Sequence, residues 1–442
     1  MLPTPTPGPR LWDGYLLPIE QQIWKTSTET IGRILATDKI PALEGFRSYS
    51  PNQERQGPHI SPLRHIYRRL HQRCGITITE QETIPPYIVP PWWQGPSISI
   101  ASDAEMAKTQ HKNFLKHPSN SIFIYTDGSG IDNHIGAAAI SPVTRCTKMA
   151  YMGNSETSTV YAAELQGIKL ALQIAVQDQE IGNKRNKVVI FTDNQAAIRT
   201  LQHPAGRSGA YIAIEAVALI DKLQKNHGIQ VEIRWIPAHI GIWGNEAADK
   251  AAKFAAKSQS EGNRGNPNVV QPKTYHLQAT LKTWIMRQTR AEWAYKWDLE
   301  PRGRATYKYT QKPTHKILHL HRRLKKWQSS LLIQMRTEKI GLRDFLWKRK
   351  VPGYNDPGCE CGEGRQTVEH IVLRCRKFKD LRQREFGGGR WLDLKAILTE
   401  SKTAIKVIRF MEQTQLLGQF RSCSTVQRDE AERWGETEGI RT

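Results

Sequence analysis

The sequence lacks long apolar runs and contains few cysteines. No stretch of its 442 residues reaches the roughly 18 apolar residues of a membrane helix, so we expect no membrane partner. The start, MLPTPTPGPR, has no apolar core of the signal-peptide type. Six cysteines are too few for a disulfide scaffold in a chain of this length. These absences exclude the membrane and disulfide-rich secreted classes. We expect an intracellular protein, and the sequence does not distinguish nucleus from cytoplasm.

Acidic residues are scarce relative to basic ones. The chain has 64 Lys and Arg against 42 Asp and Glu, a formal net charge of +22. The net charge is +3 in residues 1–120, +2 in residues 121–257 and +17 in residues 258–442. Such an excess indicates a polyanionic partner, because bound cations release the counterions that condense on phosphates. The sequence therefore predicts nucleic-acid binding, with most of the basic charge outside the near-neutral middle of the chain.

Composition and periodicity predict four regions. Residues 1–118 are rich in proline and are interpreted as a linker or a remnant of an upstream polyprotein. Residues 119–257 form one domain. Residues 258–350 form a basic, largely helical region, and residues 351–442 contain a Cys/His cluster followed by a helical and polar tail.

The middle region follows the order β-β-β-α-β-α-α-β-α. Its five predicted strands are residues 121–126, 136–141, 146–152, 187–192 and 230–236. The segments between the last three carry apolar residues at helical spacing. The pattern predicts an α/β domain with a mixed five-stranded sheet and flanking helices.

Acidic residues of this domain fall at costly positions. Asp127 and Asp193 end predicted strands, and Glu164 and Asp249 lie in helices of apolar or small residues. Such carboxylates need a positive charge nearby, and two divalent cations would supply it. A pair of ions can activate water and stabilise the leaving oxygen in phosphodiester cleavage. Oxygen ligands favour Mg²⁺, with Mn²⁺ as a substitute. His239, ten residues before Asp249, could relay a proton or help release product.

Each of these five residues has an ordinary explanation by itself. An Asp after a strand is a common turn or N-cap residue, and the others could be solvated helix or loop residues. All five in a strand, helix, strand, helix order are hard to explain by accident.

Four blocks in this domain carry a family resemblance. YTDGSG (residues 125–130), YAAELQGI (residues 161–168), FTDNQAAI (residues 191–198) and WIPAHIGIWGNEAAD (residues 235–249) resemble the signature blocks of type 1 ribonuclease H. The resemblance covers about residues 119–257. It implies that the four acids bind metal and that His239 is the mobile histidine of the family. The implied reaction is hydrolysis of the RNA strand of an RNA–DNA hybrid, leaving a 5′-phosphate and a 3′-hydroxyl.

The same resemblance implies substrate contacts. Gln195 matches a position that reads the minor groove of the hybrid, and Thr159 matches a phosphate-pocket threonine. Gly128 would let the backbone approach the RNA 2′-hydroxyls. The sequence departs from the family at Val160 and Tyr161, where relatives carry polar Asn or Gln.

A second set of metal-type residues follows residue 350. Cys359, Cys361, His370 and Cys375 form the pattern CEC-x8-H-x4-C, whose three thiolates and one imidazole suit tetrahedral Zn²⁺ in a zinc knuckle. The single residue between the first two cysteines is a tighter spacing than usual. The alternative is a set of unrelated thiols beside a helical histidine.

The flanks resemble a wider family. PLRHIYRRL, IPPYIVPPWW, LLIQMRTEKIGLRDFLWKRKVPGY and CECGEGRQTVEHIVLRC are similar to the region around and after the ribonuclease H domain of fungal non-LTR retrotransposon polyproteins. No polymerase-type Asp-Asp hairpin is visible. The resemblance implies the C-terminal part of such an element, with a reverse transcriptase as a possible partner.

Three functions compete. The first is an Mg²⁺-dependent ribonuclease H, and the second is a catalytically silent nucleic-acid-binding remnant of a retroelement. The third, a resolvase or transposase on the same fold, is disfavoured by the WIPAHIG and GNEAAD blocks.

Overall fold

The computed structural model describes residues 15–37, 62–74, 80–117, 120–258, 268–387 and 393–418. The proline-rich start, most of the polar segment at residues 258–267 and the polar tail after residue 418 lie outside the described residues. The chain forms two compact units, one of residues 24–287 and the other of residues 1–23 and 288–442. Among the described helices, none has the length and apolar character required to cross a membrane.

The first unit, residues 24–287, is built around one mixed seven-stranded sheet. Its strands are β1 (Ser97–Ser99), β2 (Ser121–Ile131), β3 (His134–Ser141), β4 (Cys146–Asn154), β5 (Lys187–Thr192), β6 (Gln230–Trp235) and β7 (Val269–Val270). The order across the sheet is β1-β6-β5-β2-β3-β4-β7. Strand β2 pairs antiparallel with β3 and parallel with β5, so the central strand joins the two kinds of pairing.

The prediction of a five-stranded sheet is corrected to seven strands. All five predicted strands are present as β2 to β6, and β1 and β7 add to the two edges of the sheet. Strand β1 has three residues and β7 has two. Segments this short cannot show the alternation of apolar and polar residues by which a strand is recognised in a sequence.

Helices cover both faces of the sheet and form much of the remainder of the described residues. The described α-helices are α1 (Ile19–Leu35), α2 (Pro62–Cys74), α3 (Ala104–Lys116), α4 (Val160–Glu180), α5 (Gln195–Gln202), α6 (Ala210–Asp221), α7 (Trp243–Lys257), α8 (Gln278–Leu299), α9 (Arg304–Tyr307), α10 (Leu318–His321), α11 (Lys326–Thr337), α12 (Arg343–Lys348), α13 (Lys379–Phe386), α14 (Leu394–Thr399) and α15 (Ser401–Gln413).

The central strand β2 contributes to two cores because successive side chains of a strand point to opposite faces. Ile122 and Ile124 are fully buried in the larger core, which also holds the apolar face of α4. Phe123 and Tyr125 belong to the smaller core on the other face, together with residues of α3 and α7. Helix α4 is buried along most of its length, which explains why most of its residues up to Val176 are apolar.

Helix α7 lies unusually close to the sheet. A Cβ atom at Gly136 of β3 would lie 3.0 Å from the carbonyl carbon of Ala255, and closer still to other backbone atoms of the helix. Ala252, Ala255 and Ala256 are fully buried at this contact. Glycine and alanine have the small side chains that let a helix backbone approach a strand, so the Ala-rich sequence of α7 sets its position.

The second unit, residues 1–23 and 288–442, has a helical core of its own. Arg336 of α11 is completely buried there. Its Nη1 donates to the Leu398 carbonyl oxygen at 2.6 Å, and its Nη2 donates to Thr310 Oγ1 at 2.7 Å. These hydrogen bonds satisfy a guanidinium that would otherwise be costly to bury. The unit confirms the prediction of a largely helical C-terminal region.

Candidate active site and cysteine cluster

Three of the predicted acids meet at the C-terminal end of β5, beside the central strand β2. Tyr125 of β2 is in register with Phe191 of the parallel neighbour β5, and Asp127 and Asp193 each lie two residues further along the chain. The register therefore places these two acids side by side. Glu164 lies in the second turn of α4, which packs on β2. One carboxylate oxygen from each of the three acids lies within 4.8 Å of the others.

Gly128 allows the backbone of α4 to approach β2, so that Glu164 reaches Asp127 and Asp193. A Cβ atom on Gly128 would lie 2.7 Å from the Ala163 carbonyl carbon and closer still to the Glu164 amide nitrogen. Only glycine leaves space for the backbone of α4 at this point. The residue therefore has a packing reason in the structure, apart from the contact with RNA that the sequence resemblance implies.

The three carboxyl groups resist ionisation when no cation is present. Asp127 and Glu164 are only 6% and 5% exposed. Burial, together with the charges of Asp193 and Asp249, raises the pKa of Asp127 to about 7. Burial, together with the charges of Asp127 and Asp193, raises the pKa of Glu164 to about 9. Burial also raises the pKa of Asp193, although a hydrogen bond from Asn245 opposes the shift.

The site fits a divalent cation on grounds of donor chemistry. Glu164 Oε2 is buried and has no hydrogen-bond partner among the described residues. An unpartnered buried carboxylate oxygen is costly, and a cation would neutralise it. The converging oxygens are hard ligands of the kind that Mg²⁺ and Mn²⁺ take.

Asp249 does not belong to the tight group of three. Its Oδ2 accepts a hydrogen bond from Lys253 Nζ at 2.7 Å, one turn further along α7. It still lies close enough for its charge to raise the pKa of Asp127, while Lys253 lowers the pKa of the same group. The structure therefore places the fourth predicted acid beside the cluster, held by a lysine that the sequence analysis did not single out.

Asn245 is a further site residue that the sequence analysis missed. It is 2% exposed, and its Nδ2 donates to Asp193 Oδ2 at 3.3 Å. The indole Nε1 of Trp235 donates to the Asp193 main-chain oxygen at 3.0 Å. Both residues lie within the block of residues 235–249, so their position in that block was the available signal.

His239 lies in the loop between β6 and α7 and is exposed. Its φ of 53° is in the left-handed region, which is uncommon for a residue with a Cβ atom. Its charge lowers the pKa of Asp193, so the loop holds the imidazole near the acidic group. The structure thus brings the predicted histidine to the accessible side of the site.

The predicted substrate residues lie around the same site in ordinary structural roles. Thr159 is the N-cap of α4, and its Oγ1 accepts a hydrogen bond from the Ala162 amide at 3.1 Å. Gln195 is the first residue of α5 and is partly exposed. Val160 is 43% exposed, and the Tyr161 hydroxyl shares a hydrogen bond with Thr200 Oγ1 at 2.6 Å. The departure from polar residues therefore leaves an apolar surface at the start of α4.

The second unit brings together all four residues of the Cys/His pattern. Cys359, Cys361, His370 and Cys375 are buried, and one ligand atom from each lies within 4.8 Å of the others. The Sγ atoms of Cys359 and Cys375 are 3.8 Å apart, and Cys361 Sγ is 3.2 Å from His370 Nε2. Tetrahedral zinc with Zn–S bonds of about 2.3 Å would place two sulfurs about 3.8 Å apart.

A tight turn explains how a spacing of one residue can work here. The Cys359 amide donates to the Gly364 carbonyl oxygen at 2.7 Å, and Gly362 has a left-handed φ of 80°. The Glu363 amide donates to Cys361 Sγ at 3.4 Å and lowers the pKa of that thiol. Burial raises the pKa of Cys359 to about 12 and lowers the pKa of His370. The neutral imidazole and converging sulfurs fit zinc.

Comparison with known proteins supports the assignment of the middle region. The family model of RNase H matches residues 119–257. The Pol polyprotein of equine infectious anemia virus (strain Wyoming) is 30% identical over 140 residues, which are 32% of this chain and 11% of the polyprotein. The match thus spans about a tenth of the length of that relative.

Solved structures with low identity also align with about a third of the chain. The N-terminal RNase H domain of rv2228c from Mycobacterium tuberculosis is 18% identical, covering 31% of this chain and 98% of that chain, with a TM-score of 0.24. LC11-RNase H1 in complex with an RNA/DNA hybrid is 21% identical, covering 30% of this chain and 98% of that chain, with a TM-score of 0.24. The assignment rests on the family model: residues 119–257 of this chain are an RNase H domain.

Proposed function

We propose that this chain hydrolyses the RNA strand of RNA–DNA hybrids. One observation carries the proposal: in a domain that matches the RNase H family, three buried carboxylates converge within 4.8 Å. A structural role does not explain the cost of burying three acids together. A role in binding divalent cations does.

The chain's own residues have distinct parts in the proposed reaction. Asp127, Glu164 and Asp193 would hold the ions, with Asp249 as a further ligand on the side of α7. Bound Mg²⁺ or Mn²⁺, as a pair, would activate water and stabilise the leaving oxygen. The hydrogen bond from Asn245 orients the Asp193 carboxylate.

His239 would act at the open side of the site. Its exposed imidazole would accept or donate a proton at one of its own ring nitrogens, close to Asp193. The loop that carries it would help to release the product. The products would be a 5′-phosphate and a 3′-hydroxyl. Recognition of the hybrid would involve the backbone at Gly128, together with Thr159 and Gln195 beside the acids.

One experiment tests the activity. The full chain is incubated with Mg²⁺ and labelled RNA–DNA hybrid, duplex DNA or duplex RNA, and the series is repeated with Asp193→Asn. Cleavage confined to the hybrid and lost in the variant is the expected result. Lys250→Gln, an exposed change one residue beyond Asp249, is the matched control and should keep the activity. Hybrid binding without any cleavage would favour the binding remnant instead.

We also propose that the Cys/His cluster binds one structural Zn²⁺. Two observations support the proposal: the four ligand atoms lie within 4.8 Å of one another, and the 3.8 Å between Cys359 Sγ and Cys375 Sγ matches two sulfurs of a tetrahedral zinc site. The purified protein should contain one zinc, and Cys361→Ser should lose it and lower the melting temperature. Cys146→Ser, which changes a free thiol of the RNase H domain, is the control and should keep the zinc. A zinc-free protein with an unchanged melting temperature on zinc addition would contradict the proposal.

The origin of the chain is a separate proposal. The resemblance of its flanks suggests the C-terminal part of a non-LTR retrotransposon polyprotein, arranged as the four regions 1–118, 119–257, 258–350 and 351–442. The similarity of 140 residues of this chain to a Pol polyprotein is consistent with a retroelement but does not distinguish its class. In that origin the chain would act beside a reverse transcriptase, and co-purification of the two would test the association.

A further inference from the structure

Helix α2 is a basic surface of the same unit as the acidic site. Its sequence, PLRHIYRRLHQRC, contains Arg64, Arg68, Arg69 and Arg73 and no acidic residue. Without these four arginines, the first 120 residues have 9 basic and 10 acidic residues, a net charge of −1. The four positive charges of α2 are therefore concentrated on one short helix of the unit formed by residues 24–287.

Two of these arginines, Arg68 and Arg69, are half-buried on α2. Tyr67 and Leu70 are 3% and 2% exposed and pack with residues of α1 and α8. Successive residues of a helix are about 100° apart, so Arg68 and Arg69 point away from the side on which Tyr67 and Leu70 pack. Within the described ranges, no carboxylate forms an ion pair with Arg68 or Arg69. Their charges are thus available to a partner.

The connections of α8 place α2 near the active site. The Leu277 amide donates to the Thr157 carbonyl oxygen at 3.1 Å, so α8 begins beside the N-terminus of α4. Leu281 and Ile285, which pack in the same cluster as Tyr67 and Leu70, lie four and eight residues further along, a rise of roughly 6–12 Å.

Packed helices lie about 8–10 Å apart, and Glu164 lies about 6 Å along α4 from its first residue. These steps keep α2 within roughly 30 Å of the acids. One turn of a nucleic-acid duplex is about 34 Å long, so a duplex that enters the site can reach α2.

We propose that Arg68 and Arg69 bind backbone phosphates of the duplex held at the acidic site. The inference rests on the proposed function and adds a substrate-binding surface to it. The start of α4 has Val160 and Tyr161, which offer little charge to a phosphate. Helix α2 supplies positive charge in the same unit, and the guanidinium group is suited to bidentate contact with phosphate oxygens.

The test measures binding by the full chain without cleavage. Fluorescence anisotropy with a labelled RNA–DNA hybrid is recorded in EDTA over a series of KCl concentrations. The double variant Arg68→Ala/Arg69→Ala should bind about tenfold more weakly at matched salt. The slope of log K against log salt should become shallower by about 1.8, because two phosphate contacts are lost. Arg68→Lys/Arg69→Lys keeps the charge and should retain most of the slope.

A matched control removes the same charge elsewhere. Lys112 and Lys116 are exposed on α3, which packs on the face of the sheet opposite α4. Lys112→Ala/Lys116→Ala should leave the salt slope unchanged. The inference is overturned if the arginine variant, with an unchanged melting temperature, loses no more affinity than this control. Cleavage by the parent chain is measured separately. If the parent cuts the hybrid but the arginine variant keeps the parent's affinity and salt slope, only the inference is refuted. If the arginine variant loses affinity as expected but the parent does not cut the hybrid, only the proposed function is refuted.

Discussion

Proton release is the sharpest prediction about the acidic site. In the metal-free protein the pKa of Glu164 is about 9 and that of Asp127 is about 7. At pH 7 the first carboxyl is therefore almost fully protonated and the second is about half protonated. A cation binds the ionised forms, so binding of Mg²⁺ or Mn²⁺ should release between one and two protons.

Isothermal titration calorimetry measures this number directly. Mn²⁺ is titrated into the protein at pH 7 in PIPES and in Tris, whose ionisation enthalpies differ, and the difference in heat gives the protons released. The apparent affinity should also rise by about 1.5 logarithmic units per pH unit near pH 7, as proton linkage requires. In Glu164→Gln the amide carries no titratable proton, and the release at saturating Mn²⁺ should fall by about one.

Heats of binding that do not depend on the buffer would refute the reasoning. They would mean that both carboxyls are already ionised at pH 7. The burial and mutual repulsion of Asp127, Glu164 and Asp193 would then not determine their titration. The Lys250→Gln variant, altered at an exposed position on α7, should release the same number of protons as the parent.

Three further predictions concern the same site. Because folding raises the pKa of the two buried carboxyls, their contribution to the stability of the metal-free protein should be complete below about pH 4, the range of their unfolded pKa values. Its melting temperature in EDTA should fall as the pH rises through about 7 and on toward 9, and saturating Mn²⁺ should reverse the fall. Lys253→Gln removes a cation that competes for Asp249, so half-maximal cleavage should need several-fold less Mg²⁺, whereas Lys250→Gln should not change this value. Gly128→Ala places a methyl group against the backbone at Glu164, and urea denaturation should show a loss of about 1–3 kcal/mol or more.

Much of the RNase H domain could be predicted from local sequence. The strands at residues 187–192 and 230–236 have continuous or alternating apolar residues, and the structure has them as β5 and β6. The four acids and His239 stood out as a set, because each residue alone has an ordinary explanation. Strand β2 continues to Ile131, so Asp127 lies inside this strand and not at its end. Convergence of Asp127 and Asp193 was implied by the family resemblance, and the register of β2 and β5 accounts for it.

The sequence by itself determined which residues are candidates for the chemistry: two acids of the strand region, two acids within helices, the loop histidine and the four residues of the cysteine cluster. Their type and spacing are local properties, and local properties are readable along a chain. Only the tertiary structure decided that Lys253 holds Asp249 outside the tight group, that Asn245 donates to Asp193 and that β1 and β7 extend the sheet. Strand pairing and the approach of α4 and α7 to the sheet fix these contacts. They depend on distances between segments far apart in sequence, which no local pattern encodes.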